Sequence, residues 1–196
     1  MEEKWKTTAL LVIDMQKDFV LPNKIMQVPG GPAIIPNVIK AVEVARQRGI
    51  LVVWVVREHD QMGRDVELFR SHMYGKDKET PPVKKGSVGA ELVDGLEIQE
   101  GDYKLVKTRF SAFFGTNLHS VLQRVGIDSL VVTGVQTPNC IRHTVFEAVE
   151  LDYPSISIIT DATAAFTPEV HAANLFDMKN VGVATPTLKE WCESSA

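Results

Sequence analysis

The stretch Gly134-Val-Gln-Thr-Pro-Asn-Cys140-Ile-Arg-His-Thr144 joins an apolar segment to an amphipathic one and leaves a cysteine at the join. Residues 129–134 before it are rich in β-branched side chains and bounded by glycines, a pattern typical of a buried strand. After it, Thr137 can cap a helix, and Pro138 suits the first helical position, where a missing N–H costs least. The stretch therefore predicts a strand–turn–helix unit with Cys140 in the first helical turn.

Cys140 has two interpretations at this position. In the first turn of a helix, unpaired backbone N–H groups and the positive end of the helix dipole favour a thiolate, and the same N–H groups can bind an oxyanion. A cysteine taken at random is more often a small buried hydrophobe. We favour a nucleophile because of the position of Cys140 at the join. Cys192, near the C-terminus, has no such setting.

The composition limits the classes of protein to consider. The chain has 196 residues, of which 44% are hydrophobic and 23% are charged, which suits one globular domain over residues 1–196. A net charge of −4 and the lack of a basic run argue against a nucleic-acid partner. The apolar stretches are too short to cross a bilayer, and residues 1–6 are unlike a secretory or transit peptide. With two cysteines, which fit a reducing compartment, we expect a cytoplasmic protein without membrane contact.

Apolar runs and helical periodicities alternate along the chain. Strands are predicted at residues 8–13, 50–56, 103–107, 129–134, 155–159 and, more weakly, 181–184. Helices are predicted at residues 34–47, 116–125, after 138 and at 169–178, with short helices near 66–72 and 90–96. This alternation predicts an α/β fold, a doubly wound and mostly parallel sheet with helices on both faces in a Rossmann-like three-layer arrangement.

Polar residues stand at the ends of three predicted strands and could meet Cys140 in space. Asp14 and Arg57 follow the first two strands, and Lys107 ends the third. Ligands bind parallel sheets outside the carboxyl ends of the strands, near the point where the strand order reverses. Asp14 can serve as a base and Lys107 as the electrostatic partner of a thiolate. A buried Asp14–Lys107 salt bridge without a catalytic role is equally compatible with the spacing.

Three segments carry a family resemblance: Val12-Ile-Asp14-Met-Gln16-Lys-Asp18-Phe19, Lys107-Thr-Arg-Phe-Ser-Ala-Phe113 and Gly134-Val-Gln-Thr-Pro-Asn-Cys140. In this order they resemble the signature segments of the isochorismatase-like cysteine hydrolases. That group includes nicotinamidases, ureidoacrylate amidohydrolases and N-carbamoylsarcosine amidohydrolases. The similarity covers essentially the full chain, and within the family it is strongest to a plant nicotinamidase-like branch described as inactive towards nicotinamide.

The resemblance implies an isochorismatase-like fold and a catalytic triad of Asp14, Lys107 and Cys140. It also implies a cis peptide between Val135 and Gln136, which would turn the N–H of Gln136 towards the same point as that of Cys140 to form an oxyanion hole. It implies hydrolysis of a C–N bond, because family members that cleave a vinyl ether lack the cysteine. Members of the family assemble as dimers or tetramers, so a homo-oligomer is expected.

A departure from the family pattern concerns a metal site. Nicotinamidases of this family bind a metal after the second strand through an aspartate, a histidine two residues on and a second histidine further along. This chain has Arg57-Glu-His-Asp60 there, and residues 61–69 contain no histidine. Glu58, His59 and Asp60 could ligate a divalent ion, but adjacent ligands on one extended segment point in different directions. We therefore predict no metal and no other cofactor, and we do not expect recognition of nicotinamide through its ring nitrogen.

Five residues are candidates for binding a small-molecule substrate. Arg57 or Arg109 can pair with a substrate carboxylate. Phe19 and Phe113, in loops beside the proposed triad, can form an apolar wall for a planar substrate or pack as a cluster. Gln16, in the first motif, is also assigned to the substrate.

The sequence therefore predicts a cysteine-dependent hydrolase of a small amide, ureido or carbamoyl compound, acting through a thioester but not as an active nicotinamidase. The alternative is a catalytically silent relative that binds a metabolite or a partner protein. The intact triad motifs favour the hydrolase, whereas the altered metal motif and the unfamiliar residues 136–139 favour the silent relative. A nucleotide-binding domain is disfavoured, because no glycine-rich phosphate loop follows Ile13.

Overall fold

A five-stranded sheet with all strands parallel forms the centre of the computed structural model, which describes residues 3–194. The strands are β1 (Thr8–Ile13), β2 (Leu51–Arg57), β3 (Tyr103–Lys107), β4 (Ser129–Val135) and β5 (Ser155–Ala164). Their order across the sheet is β3-β2-β1-β4-β5. The order therefore reverses between β1 and β4, the strands that precede Asp14 and Cys140.

Helices cover both faces of the sheet. They are α1 (Glu3–Lys6), α2 (Lys17–Val20), α3 (Gly31–Arg48), α4 (Leu118–Arg124), α5 (Arg142–Glu150), α6 (Pro168–Asn180) and α7 (Leu188–Glu193). Short 3₁₀ turns lie at Leu68–Met73 and Val88–Ala90. Side chains of α3 and α7 join the apolar core on one face, and those of α4, α5 and α6 join the core on the other. Within residues 3–194, no helix combines the length and apolarity needed to cross a membrane.

The packing of the central strand β1 explains why its sequence is apolar at every position. Leu10 and Val12 belong to the core under α3, whereas Leu11 and Ile13 belong to the core under α4 and α5. Successive strand residues point to opposite faces, so a strand covered on both faces needs apolar side chains at every position. The predicted α/β fold, with its doubly wound parallel sheet, is confirmed.

Two predicted boundaries near the C-terminus are wrong. Residues 181–184 do not form a strand but a single bridge between Ala184 and Ser157, and Gly182 has a φ of 89°, which interrupts extended backbone. Residues 160–164, beyond the predicted strand at 155–159, continue β5 past an irregularity in its register with β4. That irregularity breaks the strand-like sequence pattern without ending the pairing, which is why the sequence suggested a shorter strand.

The turn after β4 depends on Gly134. This residue has a φ of 109°, and a Cβ placed on it would lie 2.0 Å from the carbonyl oxygen of Ile13. The peptide bond between Val135 and Gln136 is cis, as predicted. A π-helical turn, Thr137–Ile141, then leads into α5 and contains Cys140.

Thr137 does not cap this turn, contrary to the prediction. Gln136 holds the cap position, and its carbonyl oxygen accepts hydrogen bonds from the N–H groups of Asn139 and Ile141 at 3.1 and 3.3 Å. The hydroxyl of Thr137 is instead hydrogen-bonded to Nδ1 of His171 on α6, at 2.7 Å. The turn is therefore fixed to α6 by a side-chain contact that spacing along the sequence does not reveal.

Candidate active site

Three side chains that follow β1, β3 and β4 meet at the carboxyl edge of the sheet. Nζ of Lys107 donates to Oδ2 of Asp14 at 2.9 Å and to Sγ of Cys140 at 3.3 Å. Its third hydrogen bond, of 3.1 Å, goes to the carbonyl oxygen of Arg109. Asp14 and Lys107 are each 1% exposed and Cys140 is 5% exposed. The ammonium thus has three acceptors inside the protein and holds the carboxylate and the sulfur in fixed positions.

Asp14 has an unusual backbone conformation and one oxygen to spare. Its φ is 53°, in the left-handed region that aspartate tolerates better than most residues, and its N–H donates to the carbonyl of Val55 at 2.9 Å. Within residues 3–194, its buried Oδ1 has no hydrogen-bond partner. Oδ1 therefore has a free lone pair with which it can accept a proton.

A second cation, Arg57, lies between the strands of the triad. It ends β2, it is fully buried, and its Nη2 lies 3.9 Å from Sγ of Cys140. Its Nε lies 3.9 Å from Oδ2 of Asp14. The guanidinium is bonded to the carboxylate of Glu67 through both Nη atoms, at 3.1 and 2.9 Å. The carboxylate of Glu67 thus occupies the position on Arg57 that was assigned from the sequence to a substrate carboxylate, and that assignment stays a prediction.

The surroundings of Cys140 raise the pKa of its thiol. Burial raises the pKa of the Cys140 thiol and the charge of Asp14 raises it further, whereas Lys107 and Arg57 act in the opposite direction without reversing the shift. The expected helix-terminus thiolate is thus corrected to a thiol, because desolvation of a buried sulfur opposes its charged form. For Glu67, burial opposes ionisation, but the hydrogen bonds and charge of Arg57 outweigh it and lower the pKa to about 2.

Two of the residues proposed to bind substrate are already hydrogen-bonded to other groups of the protein. Nε2 of Gln16 donates to the carbonyl oxygens of Arg57 and Ala90 at 2.7 and 2.8 Å, and its Oε1 accepts from the N–H of Arg57 at 2.7 Å. The Gln16 amide therefore positions Arg57 and is not free to bind a substrate. Arg109 donates to the carbonyl oxygens of Asp65 and Thr108, which holds it against the neighbouring loop.

Phe19 and Phe113 do not form the apolar wall that was considered for a planar substrate. Phe19 belongs to the core under α3, and Phe113 packs beside the rings of His119 and Tyr153. Both are packing residues, the alternative that the sequence left open. The aromatic ring near the site is Phe110, whose centroid lies 5.4 Å from the guanidinium of Arg57.

Phe110 and Glu67 are the neighbours of the triad that sequence reasoning missed. Phe110 lies inside the second motif, three residues after Lys107, so its position in that motif is a signal that could have identified it. Glu67 lies just before a 3₁₀ turn in an irregular segment and belongs to no motif, so only the fold brings it to the site.

A loop of residues 61–75, which we call the covering loop, packs over this edge of the sheet. It contributes Glu67 to Arg57, the Asp65 carbonyl to Arg109, and Phe69 to a ring contact of 6.3 Å with Phe110. These contacts close the triad from solvent in the present conformation. Access to Cys140 thus requires movement of at least part of the covering loop.

The residues at the family's metal position do not fit a metal ion. Glu58 is paired with Lys104 at 2.5 Å and Asp60 with Arg64 at 2.8 Å, while His59 lies 3.3 Å from the guanidinium of Arg57. Within residues 3–194, no three His, Cys, Asp or Glu side chains are grouped to hold a metal. A cation at His59 would face the charge of Arg57, so we derive no step through a metal, and its absence from the protein stays a prediction.

Comparisons with known proteins show which family this chain is similar to. A family model described as the isochorismatase domain matches residues 8–190. A protein of Arabidopsis thaliana described as a probable inactive nicotinamidase is 68% identical over 100% of both chains. The ureidoacrylate amidohydrolase RutB of Caulobacter vibrioides is 34% identical over 89% of this chain and 84% of its own. The crystal structure of an isochorismatase family protein from Desulfovibrio vulgaris superposes with a TM-score of 0.88 at 42% identity, covering 93% of this chain and 95% of that chain.

Proposed function

We infer, on the premise that this chain belongs to the isochorismatase family, that it is a cysteine hydrolase cleaving a C–N bond. The proposed substrate is a small amide, ureido or carbamoyl compound. One observation carries this proposal: Nζ of Lys107 lies 2.9 Å from Oδ2 of Asp14 and 3.3 Å from Sγ of Cys140. A base, a nucleophile and a cation between them are the groups that covalent hydrolysis requires.

In the proposed first step, Oδ1 of Asp14 takes the thiol proton while Sγ of Cys140 attacks the substrate carbonyl carbon. The base is needed because the raised pKa of the thiol leaves almost no thiolate at neutral pH. Lys107 stabilises the negative charge that develops on sulfur. We assign the backbone N–H groups of Gln136 and Cys140 to the oxyanion that forms on the substrate.

The intermediate then loses its nitrogen. Protonated Asp14 gives its proton to the nitrogen, the C–N bond breaks, and ammonia or an amine leaves a thioester on Cys140. Asp14, again a carboxylate, takes a proton from a water molecule whose oxygen attacks the thioester carbon. The sulfur leaves and recovers the proton from Asp14, so the sum of the steps is substrate plus water giving an acid and an amine.

A catalytically silent binding protein is the second candidate. Nη2 of Arg57 lies 3.9 Å from Sγ of Cys140, and the same atom donates to the carboxylate of Glu67 at 2.9 Å, so groups of the protein itself surround the thiol. The similarity to the Arabidopsis protein described as a probable inactive nicotinamidase favours the same candidate. Under either candidate, assembly into a homo-oligomer stays a prediction, which sedimentation of the purified chain would check.

Ammonia release by the purified protein tests the hydrolase. The panel would contain nicotinamide, ureidoacrylate, carbamoyl amino acids and short aliphatic amides. We expect turnover of a ureido or carbamoyl compound, its abolition by Cys140→Ala, and its retention by the matched control Cys192→Ala. If no compound of the panel releases ammonia, or if Cys140→Ala keeps the activity, the proposal fails and the silent binding protein replaces it.

A further inference from the structure

Arg57 already binds a carboxylate in this structure, and that carboxylate belongs to the protein. The guanidinium of Arg57 and the carboxylate of Glu67 form two parallel hydrogen bonds of 2.9 and 3.1 Å. This fork-to-fork geometry is the one that arginine uses to recognise carboxylate ligands. The pair stands next to the reacting atom, because Nη2 of Arg57 is 3.9 Å from Sγ of Cys140. Glu67 thus presents an anionic group at short range from the nucleophile.

Two buried polar atoms at the same place lack partners. Nε of Arg57 and Oδ1 of Asp14 have no hydrogen-bond partner within the part of the chain that the structure describes. Arg57 is 0% exposed and Asp14 is 1% exposed, so water at the protein surface does not reach either side chain freely. Buried polar groups are normally paired, so the unused Nε–H of Arg57 indicates that this guanidinium can take an acceptor besides Glu67, whereas Oδ1 of Asp14 is the atom assigned to the thiol proton.

Glu67 lies between buried and exposed residues of the covering loop: Val66 is 7% exposed, and Arg70, 8% exposed, also donates to Glu67 from Nη1 at 3.1 Å. Leu68 and Phe69, which follow it in the covering loop, are 89% and 62% exposed. Moving Leu68 and Phe69 therefore costs little buried apolar area, whereas moving Glu67 also breaks its ion pair with Arg70. Its departure alone would leave the buried guanidinium of Arg57 with only the more distant carboxylate of Asp14, 3.9 Å from Nε, as a counterion, which is unfavourable. A ligand that displaces Glu67 at low cost must bring a carboxylate of its own.

We propose that Arg57 is the receptor for a carboxylate of the substrate and that Glu67 occupies this receptor until an anionic substrate displaces it. This inference rests on the proposed hydrolase and narrows its substrate to an acid that carries an amide, ureido or carbamoyl group. A carboxylate on Arg57 places the rest of a short substrate next to Sγ of Cys140. A neutral amide such as nicotinamide offers nothing to replace Glu67.

Alkylation of Cys140 by two reagents of similar size and different charge tests the receptor. In a Cys192→Ala background, Cys140 is the only thiol of the chain. The rate constants for iodoacetate, which is anionic, and iodoacetamide, which is neutral, are measured at one pH and one ionic strength. We expect Glu67→Gln to raise the ratio of the iodoacetate rate to the iodoacetamide rate by about tenfold, the range of one charge-assisted pair.

Two further variants separate the receptor from other effects of Glu67→Gln. Glu58→Gln removes the same charge one residue from Arg57, but from an ion pair with Lys104, and we expect the ratio to stay unchanged. Adding Arg57→Met to Glu67→Gln should abolish the gain. If Glu67→Gln accelerates both reagents equally, the loop has only loosened, and the receptor is overturned. An equal gain in Glu58→Gln would overturn it as well.

A measurement on the chain without substitutions at the site covers the case in which these variants do not fold. Propionate should slow the alkylation of Cys140 by iodoacetamide more strongly than propionamide does. Equal protection by both compounds would overturn the receptor. Neither readout requires turnover. If the protein prefers anions but releases no ammonia, the receptor proposal is supported and the hydrolase proposal is contradicted. A protein that hydrolyses neutral amides without this preference keeps the hydrolase and loses the receptor.

Discussion

Nζ of Lys107 lies 2.9 Å from Oδ2 of Asp14, although β2 separates the strands that these two residues follow or end. The long side chain of Lys107 crosses the end of β2 to reach the carboxylate beside β1. Both groups are buried, so each charge depends on the other for its stability. The ion pair therefore has a structural role whether or not the protein is catalytic, and the two roles call for different substitutions.

Asp14→Asn tests the catalytic role. Asparagine keeps the shape of the side chain and tolerates the φ of 53°, but it cannot take a proton from Cys140. We expect ammonia release to fall by about 10²–10⁴-fold, the usual contribution of a general base, with the fold retained. Asp18→Asn is the matched control in the same motif, since an amide oxygen at that position can still accept the N–H of Val83. Equal losses of activity in the two variants would contradict the role of Asp14.

Lys107→Met tests the structural role. It leaves the Asp14 carboxylate buried without its main partner, which should lower the free energy of unfolding by about 3–5 kcal/mol in a urea titration. Lys104→Met, on the same strand, breaks a more exposed pair with Glu58 and should cost less than about 1 kcal/mol. Adding Asp14→Asn to Lys107→Met should recover part of the loss. A double variant whose loss equals the sum of the two single losses would show that the pair is not coupled.

The pH dependence of Cys140 follows from its raised pKa. With Cys192→Ala as the background, we expect iodoacetamide to alkylate Cys140 more slowly near neutral pH than it alkylates a free cysteine. The rate should then rise with pH through a value above the ordinary thiol pKa. Asp14→Asn removes a charge that raises this pKa, so the rise should move to lower pH. If Cys140 reacts faster than a free cysteine at neutral pH, the raised pKa is contradicted and the thiolate predicted from the sequence is supported.

The same shift affects stability. The folded chain holds the Cys140 proton more tightly than the unfolded chain, so the contribution of this group is complete below the unfolded pKa, about 8.5. It is lost as the pH rises through the folded pKa. The free energy of unfolding should therefore decline on the alkaline side, and less steeply in Cys140→Ala. An identical slope in both proteins would contradict the direction of the shift.

Gln16→Leu tests whether the first motif holds the backbone of the site. The substitution removes two buried hydrogen bonds to the backbone of Arg57 and one partly buried bond to Ala90, and it leaves their groups unpaired. We expect a loss of about 2 kcal/mol or more in a urea titration. Gln27→Leu removes one exposed bond, to the N–H of Asn23, and should change the stability by less than about 0.5 kcal/mol. If Gln16→Leu is as stable as this control, the structural role of Gln16 is contradicted and its assignment to substrate binding is restored.

The fold was predictable from the sequence because its signal is local. A strand such as β1, covered on both faces, must be apolar at each position, and the residue after it is then conspicuous. Asp14 was found in this way, and with Lys107 and Cys140 the family resemblance added the grouping in space. Glu67 was not predictable, because the segment that carries it has no periodicity. Its contact with Arg57 depends on how the covering loop folds back over the end of β2, which the sequence does not show. The pKa of Cys140 was misjudged for a related reason: its position on a helix was visible in the sequence, but its degree of burial was not.

Gly134 affects how tolerance to substitution around the nucleophile should be interpreted. Because a Cβ at this position would lie 2.0 Å from the carbonyl oxygen of Ile13, a library that varies residues 134–144 should return only glycine there. Such intolerance would look the same as that of a residue that touches substrate. In a saturation screen, the absence of substitutions at position 134 therefore reflects the close spacing of two strands and is no evidence of a catalytic role. Intolerance to substitution indicates selection for catalysis only at positions where another side chain would fit.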